Sequence, residues 1–225
     1  MKYELNRLYN EDCLEAMKSI PDKYFDLAIV DPPYGVNMDK GFTGEGGFSG
    51  KGKAIKRTQY AGDWDKEPPN KKYFEELTRV SKQQIIWGGN FFTDNLPKSG
   101  HWVFWNKRNT MPTHGDGELA WTSFNRKSVK LFEYTWNGLM QEDMKNKEVR
   151  IHPTQKPIAL YAWILNNYAK EGDKILDTHV GSASSLIACH RLGFDYLGFE
   201  LDKDYFNKAS ERLEKEKSQM SIFEV

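Results

Sequence analysis

The sequence predicts an α/β fold: a mixed sheet of about seven strands that includes an antiparallel hairpin, with helices on both faces. Three observations predict it. The run Phe25-Asp26-Leu27-Ala28-Ile29-Val30 is almost wholly apolar, as in a strand of a parallel sheet covered on both faces. Lys174-Ile175-Leu176-Asp177, a turn of small residues, the segment Ala183 to Leu192 and the run Phe194 to Phe199 read as strand, turn, helix and strand, a βαβ unit. The 225 residues are enough to bury a substantial core in one larger domain.

Taken in order, Glu4 to Tyr9 reads as a strand, and Asp12 caps a short helix that ends by Pro21. The strand Phe25 to Val30 runs into Asp31-Pro32-Pro33-Tyr34. Gly35 to Asp63 is a glycine-rich loop of a length usually reserved for function. Tyr73 to Val80 reads as a helix, and Gln84 to Trp87 as a strand followed by Gly88-Gly89-Asn90, where Asn90 either faces a ligand or forms a turn. His101 to Trp105 is a strand. Gly117 to Phe124 and Lys130 to Trp136 are expected to pair antiparallel around a turn at Asn125-Arg126. Residues 142–150 form a charged connection, Pro157 to Ala169 a helix, and the βαβ unit closes the fold. The expectation is one domain over 1–225: first strands (1–34), loop (35–63), middle region (64–150) and closing half (151–225).

Asp31-Pro32-Pro33-Tyr34 is the most informative stretch, because a parallel strand delivers the residues after it to the carboxyl edge of the sheet, where open α/β folds bind ligands. Neither proline has an N–H, and both have a fixed φ, so the turn sets a rigid carbonyl beside a carboxylate. Two acceptors suit an –NH2 group, and Tyr34 adds a flat face for a planar base. Alone, such a triplet is a strand ending in a turn. The βαβ unit changes the balance: its turn Thr178-His179-Val180-Gly181-Ser182 is followed, about 20 residues past Gly181, by Glu200, the spacing at which a carboxylate takes ribose hydroxyls. A pyrophosphate needs several glycines, and only Gly181 is present before Ser182-Ala183-Ser184. S-adenosylmethionine has ribose, adenine and an amino acid but no phosphate, and it fits the single glycine.

Asp31-Pro32-Pro33-Tyr34, Asn10-Glu11-Asp12-Cys13-Leu14-Glu15, His152-Pro153-Thr154-Gln155-Lys156-Pro157 and Asp177-Thr178-His179-Val180-Gly181-Ser182 together resemble the DNA amino-methyltransferases, in the permuted (beta) order that puts the catalytic half before the cofactor half. The resemblance spans nearly the whole chain. It implies a Rossmann-like S-adenosylmethionine-dependent methyltransferase fold, with Asp31, Pro32, Pro33 and Tyr34 catalytic. Cofactor contacts are expected from Asp12, Cys13, Asp31, Lys156, Asp177, His179, Gly181, Ser182, Ala183, Glu200 and Leu201, with Asp12 and Cys13 against the adenine and Lys156 at the methionine carboxylate. Thr178, His179 and Ala183 depart from the Asp-Pro-Phe and Gly-Ser-Gly-Thr common in the family. The aspartate form of the motif is used mostly on adenine N6, so an adenine-N6 DNA methyltransferase is expected. Cytosine N4, RNA or a protein amide are the alternative targets, and an inactive DNA-binding remnant the alternative without activity.

Formal net charge is zero, yet Lys51, Lys53, Lys56 and Arg57 crowd the loop after Tyr34. They are expected at DNA phosphates, with Lys107, Arg108 and Arg126 as further DNA contacts. No run approaches the ~18 to 20 apolar residues of a membrane span, the charged start is no secretion signal, and Cys13 and Cys189 are too far apart in sequence to suggest a disulfide framework or metal ligands. A cytoplasmic enzyme without a metal is expected, acting on duplex DNA with a flipped base; whether it forms a homodimer and whether it has a cognate restriction endonuclease as partner stay open at this point.

Overall fold

The computed structural model describes residues 2–35, 67–109, 115–137 and 140–220. The elements in chain order are β1 (Arg7–Tyr9), α1 (Cys13–Met17), β2 (Phe25–Val30), α2 (Lys71–Val80), β3 (Ser81–Trp87), β4 (Trp102–Asn106), β5 (Gly117–Thr122), β6 (Val129–Glu133), β7 (Trp136–Asn137), β8 (Met140–Gln141), α3 (Ile158–Tyr168), β9 (Lys174–Asp177), α4 (Ser184–Arg191), β10 (Asp195–Phe199) and α5 (Lys203–Met220). Among the described residues, eight strands form one mixed sheet in the order β1-β10-β9-β2-β3-β5-β4-β6, and β7 and β8 make a separate ribbon. About seven strands were expected.

Local chemistry accounts for these elements. Asp12 Oδ1 accepts the Leu14 and Glu15 N–H groups at 2.8 and 3.0 Å, which starts α1. Asn70 does the same for α2 through the Tyr73 N–H. That helix buries Tyr73, Phe74, Leu77 and Val80, a helical stripe. Alternation along β2 sends Leu27 and Ile29 to one face, against α3 and α4, and Ala28 and Val30 to the other, against α1 and α2. Each fully buried apolar side chain of this size contributes about 1.5–3 kcal/mol, so the two-sided strand anchors the domain.

The expected hairpin is a correction. Gly117–Thr122 does not pair with the strand after Asn125-Arg126; it pairs antiparallel with β4 and β3, while β6 runs parallel to β4 at the sheet's edge. Burial explains the exchange. β5 carries Ala120, Trp121 and Thr122, all buried, and needs a central place. β6 leaves Val129 and Leu131 more than half exposed and suits an edge. Trp136 belongs to the β7–β8 ribbon, and the first strand is shorter than expected because Asn6 takes a φ of +63°. Among the described residues, no helix is long and apolar enough to cross a membrane.

Candidate active site

Strands β1, β10, β9, β2 and β3 run parallel, so their carboxyl ends share one edge of the sheet. Chain connections lead away in opposite directions from β2 and β9, which makes their junction a topological switch point. Leu27 pairs with Ile175 and Ala28 with Leu176. Asp31 and Asp177 therefore leave adjacent strands.

Around Asp31 the structure builds a charged cluster. Its Oδ1 accepts the Tyr34 hydroxyl at 2.6 Å and its Oδ2 accepts Lys156 Nζ at 2.5 Å. Lys156, from the segment before α3, is 3% exposed and also lies 3.0 Å from Glu118 Oε2 on β5. Glu118 Oε1 accepts from Lys107 Nζ. Burial alone lowers the Lys156 pKa, but the Asp31 and Glu118 carboxylates outweigh it and hold the ammonium charged. Burial raises Glu118, and Lys156 with Lys107 more than reverse that, holding it below the usual carboxylate range. The Tyr34 phenol is pushed well up, first by burial and then by Asp31, so it stays a donor. Its ring stacks on Phe91, with centroids 5.0 Å apart and planes 16° apart.

The turn after β9 is held from three sides. Asp177 accepts the His179 N–H at 3.0 Å and the Ser185 hydroxyl, and burial pushes its carboxyl up to about 7. Gly181 sits at φ +54° and donates its N–H to Glu200 Oε2 at 2.7 Å, while the Asp202 N–H reaches Glu200 Oε1 at 2.9 Å. Asn10 Nδ2 donates to the Glu200 and Leu201 carbonyls at 2.8 and 2.9 Å, tying the end of β10 to the chain after β1. The Leu201 side chain is exposed. Arg212 from α5 donates to the Ser182 carbonyl and the Ser184 hydroxyl. Ala183 is fully buried at φ +62°, in left-handed space that favours glycine.

Thr178 and His179, which depart from the family pattern, join a polar chain. Tyr73 and Thr178 hydroxyls are 2.7 Å apart, Thr178 Oγ1 is 2.9 Å from His179 Nδ1, and His179 Nε2 is 3.9 Å from Cys13 Sγ. Burial drops His179 to about 4 and lifts the Cys13 thiol to about 12, so both are neutral near pH 7. This links Cys13, at the start of α1, to the cofactor-type turn.

The structure thus brings Asp31, Pro32, Pro33, Tyr34 and Lys156 into one cluster, and Asp177, His179, Gly181, Ser182, Ala183 and Glu200 into the turn beside it. Within the chain, Lys156 has Asp31 and Glu118 as its partners. Lys51, Lys53, Lys56 and Arg57 lie outside the described residues. Lys107 is paired with Glu118, Arg108 with Glu133 and Glu142, and Arg126 lies over the Phe124 and Tyr168 rings. Asn90 is exposed on a short 3-10 turn, Gly89–Phe91. Sequence reasoning missed Glu118, Tyr73 and Phe91. Only Phe91 carried a signal, its position just past Gly88-Gly89 at the same sheet edge.

Comparison with known proteins agrees with this architecture. A family model described as DNA methylase matches residues 101–211. The chain is 26% identical over 249 residues to the type II methyltransferase M2.DpnII of Streptococcus pneumoniae, covering 93% of this chain and 90% of that protein. The crystal structure of an M1.HpyAVI–SAM complex superposes with a TM-score of 0.56 at 20% identity, covering 92% of this chain and 98% of that one. The cytosine-N4-specific PvuII DNA methyltransferase gives a TM-score of 0.59 at 14% identity, covering 94% and 89%.

Proposed function

We propose, from the match of residues 101–211 to a DNA methylase family model and the likeness to type II methyltransferases, that this chain is a site-specific DNA methyltransferase acting on the exocyclic N6 amine of adenine with S-adenosylmethionine as methyl donor. One observation carries the reading: the Asp31 motif and the single-glycine turn, whose Gly181 N–H is accepted by Glu200 from the end of β10, leave adjacent parallel strands at the switch point. The turn suits this cofactor. Its Glu200 carboxylate keeps lone pairs for ribose hydroxyls beyond the two N–H groups it already accepts, and nothing comes within 3.7 Å of where a Gly181 side chain would begin. S-adenosylmethionine, when bound, supplies an electrophilic methyl group.

The chain's own residues address the nitrogen. An adenine amine shares its lone pair with the ring, and it attacks well only when its hydrogens are held and the lone pair is turned outward. Asp31 and the Pro32 carbonyl accept those hydrogens, and the carboxylate stabilises positive charge that grows on nitrogen during transfer. The amine is out of line within a stacked duplex, so the base must leave the helix. That costs a few kcal/mol. Stacking on the Tyr34–Phe91 pair would return about 1–3 kcal/mol.

Cytosine N4 is the second reading, favoured by the fold likeness to a cytosine-N4-specific enzyme. Incubating the protein with radiolabelled S-adenosylmethionine and unmethylated DNA, RNA or protein, then digesting labelled DNA to nucleosides, separates these readings. N6-methyladenine is expected. N4-methylcytosine alone overturns the adenine assignment, and label confined to RNA or protein overturns the DNA one. Asp31→Ala should lower methyl transfer at least 100-fold while cofactor binding stays measurable. Turnover within tenfold of wild type would sink the chemistry.

A further inference from the structure

Asp31 enters the resting site with both carboxylate oxygens already engaged, by Tyr34 and by Lys156. Each oxygen keeps a second lone pair, so a substrate amine would share Oδ2 with a buried ammonium held at 2.5 Å, whose positive charge opposes the charge that grows on the amine nitrogen. Charge-assisted hydrogen bonds of this kind are about twice as strong as neutral ones, so an amine displaces the lysine only if the lysine has somewhere else to go. Moving it towards bulk water is not open to a side chain that is 3% exposed. Leaving it unpaired inside the protein would cost several kcal/mol.

Glu118 supplies the alternative. Its Oε2 is buried, lies 3.0 Å from Lys156 Nζ as an ion partner, and has no aligned hydrogen bond. It already faces the ammonium as its second ion partner. The other oxygen, Oε1, is anchored by Lys107, whose ammonium also lies 4.8 Å from the centre of the Trp105 ring. That anchor fixes the carboxylate on β5, so a small rotation about the last bonds of Lys156 is enough to turn one of its N–H bonds from Asp31 to Glu118. The four side chains carry two positive and two negative charges, and the exchange leaves the net charge of the cluster unchanged.

We propose that Glu118 is a positioning residue for Asp31: it takes over Lys156 when the amine of the target base arrives, and so frees Asp31 Oδ2 to accept a hydrogen from that amine. No covalent bond forms or breaks in this exchange. Lys107 serves the same purpose one step out, as the tether that keeps Glu118 facing inward. This assignment rests on the DNA amino-methyltransferase reading above.

The test compares Glu118→Gln with wild type in steady-state methyl transfer to unmethylated DNA, alongside cofactor and DNA binding. Glutamine keeps size and shape but loses the charge that holds Lys156. The expected result is a kcat lowered 10- to 100-fold, the scale of an ångström-level misplacement at a reacting group, with KM for DNA and cofactor affinity within threefold. Glu118→Asp, which keeps the charge on a shorter arm, should recover at least half of the loss on a logarithmic scale. A kcat within threefold of wild type in Glu118→Gln overturns the proposal, as does a loss that appears in KM or cofactor affinity instead. If Glu118→Gln fails to fold, Glu118→Asp decides alone: a three- to tenfold lower kcat at unchanged affinity supports the exchange, and an unchanged kcat overturns it. Absence of methyl transfer by the wild-type protein itself would instead reject the underlying function.

Discussion

At the scale of single residues, the site depends on places where a side chain is missing. Gly88 follows β3 at φ +67°, and a Cβ there would sit 2.2 Å from the Tyr34 ring. No rotamer change in Tyr34 relieves that overlap without giving up either the hydroxyl bond to Asp31 or the stack on Phe91. Gly88→Ala should therefore lower methyl transfer at least tenfold and destabilise the fold by about 1–3 kcal/mol through overpacking and left-handed strain, while cofactor affinity stays within threefold. Turnover within threefold of wild type would mean that the Tyr34 placement is not needed for the chemistry. Ala183 shows the opposite case. It holds a left-handed conformation where the family commonly has glycine, and its buried methyl group carries that strain in the wall of the cofactor-type turn.

Among the described α-helices, α1 is the shortest and the least able to stand on its own. A helix of five residues lies below the length at which helices persist in water, so its last carbonyls must find partners elsewhere. Arg79 of α2 supplies them: its guanidinium donates to the Met17 carbonyl at 2.7 Å and the Ile20 carbonyl at 2.8 Å, and is itself held by Glu76 and Asp22. Arg79→Ala should cost about 2 kcal/mol, the scale of losing charged hydrogen bonds to carbonyls that stay partly buried. Chemical denaturation checks the magnitude. Because α1 opens with Asp12 and Cys13 at the cofactor edge, the same variant should bind cofactor more weakly, and a variant equally stable and equally tight in binding would show that the guanidinium is only a surface feature.

On the scale of the whole molecule, a ligand bound at the switch point would couple the two halves of the chain. Asp31 comes from the first half and Glu200 from the last, and the paired strands β2, β9 and β10 set them side by side. A ligand held by both halves stabilises the native state as a unit. At 100 times its Kd, S-adenosylmethionine should add about 2.7 kcal/mol, which raises the melting temperature of a chain this size by roughly 5 to 11 °C. ATP, which carries the same adenosine with phosphates, should give little shift, because one glycine does not open the backbone to a pyrophosphate. Equal shifts from both ligands would overturn the argument from the single-glycine turn.

The sequence by itself determined the α/β class, the order of strands and helices, the cap at Asp12 and the turn at Gly181, since each of these rests on neighbours along the chain: apolar runs, a capping side chain or a glycine at a strand end. It also placed the Asp31 motif and the Glu200 acid at strand ends, because a parallel strand fixes where its next residue emerges. Tertiary structure alone decided the rest. β5 lies between β3 and β4 rather than beside β6 because burying Trp121 and Ala120 outweighs the local turn signal at Asn125-Arg126. The partners that Lys156 has within the chain left no mark in the sequence. The lysine is neutralised by Glu118, 38 positions earlier in sequence, and by Asp31 from another strand. Charge pairing acts through space and leaves no period or spacing in a sequence, whereas hydrophobic runs and caps do.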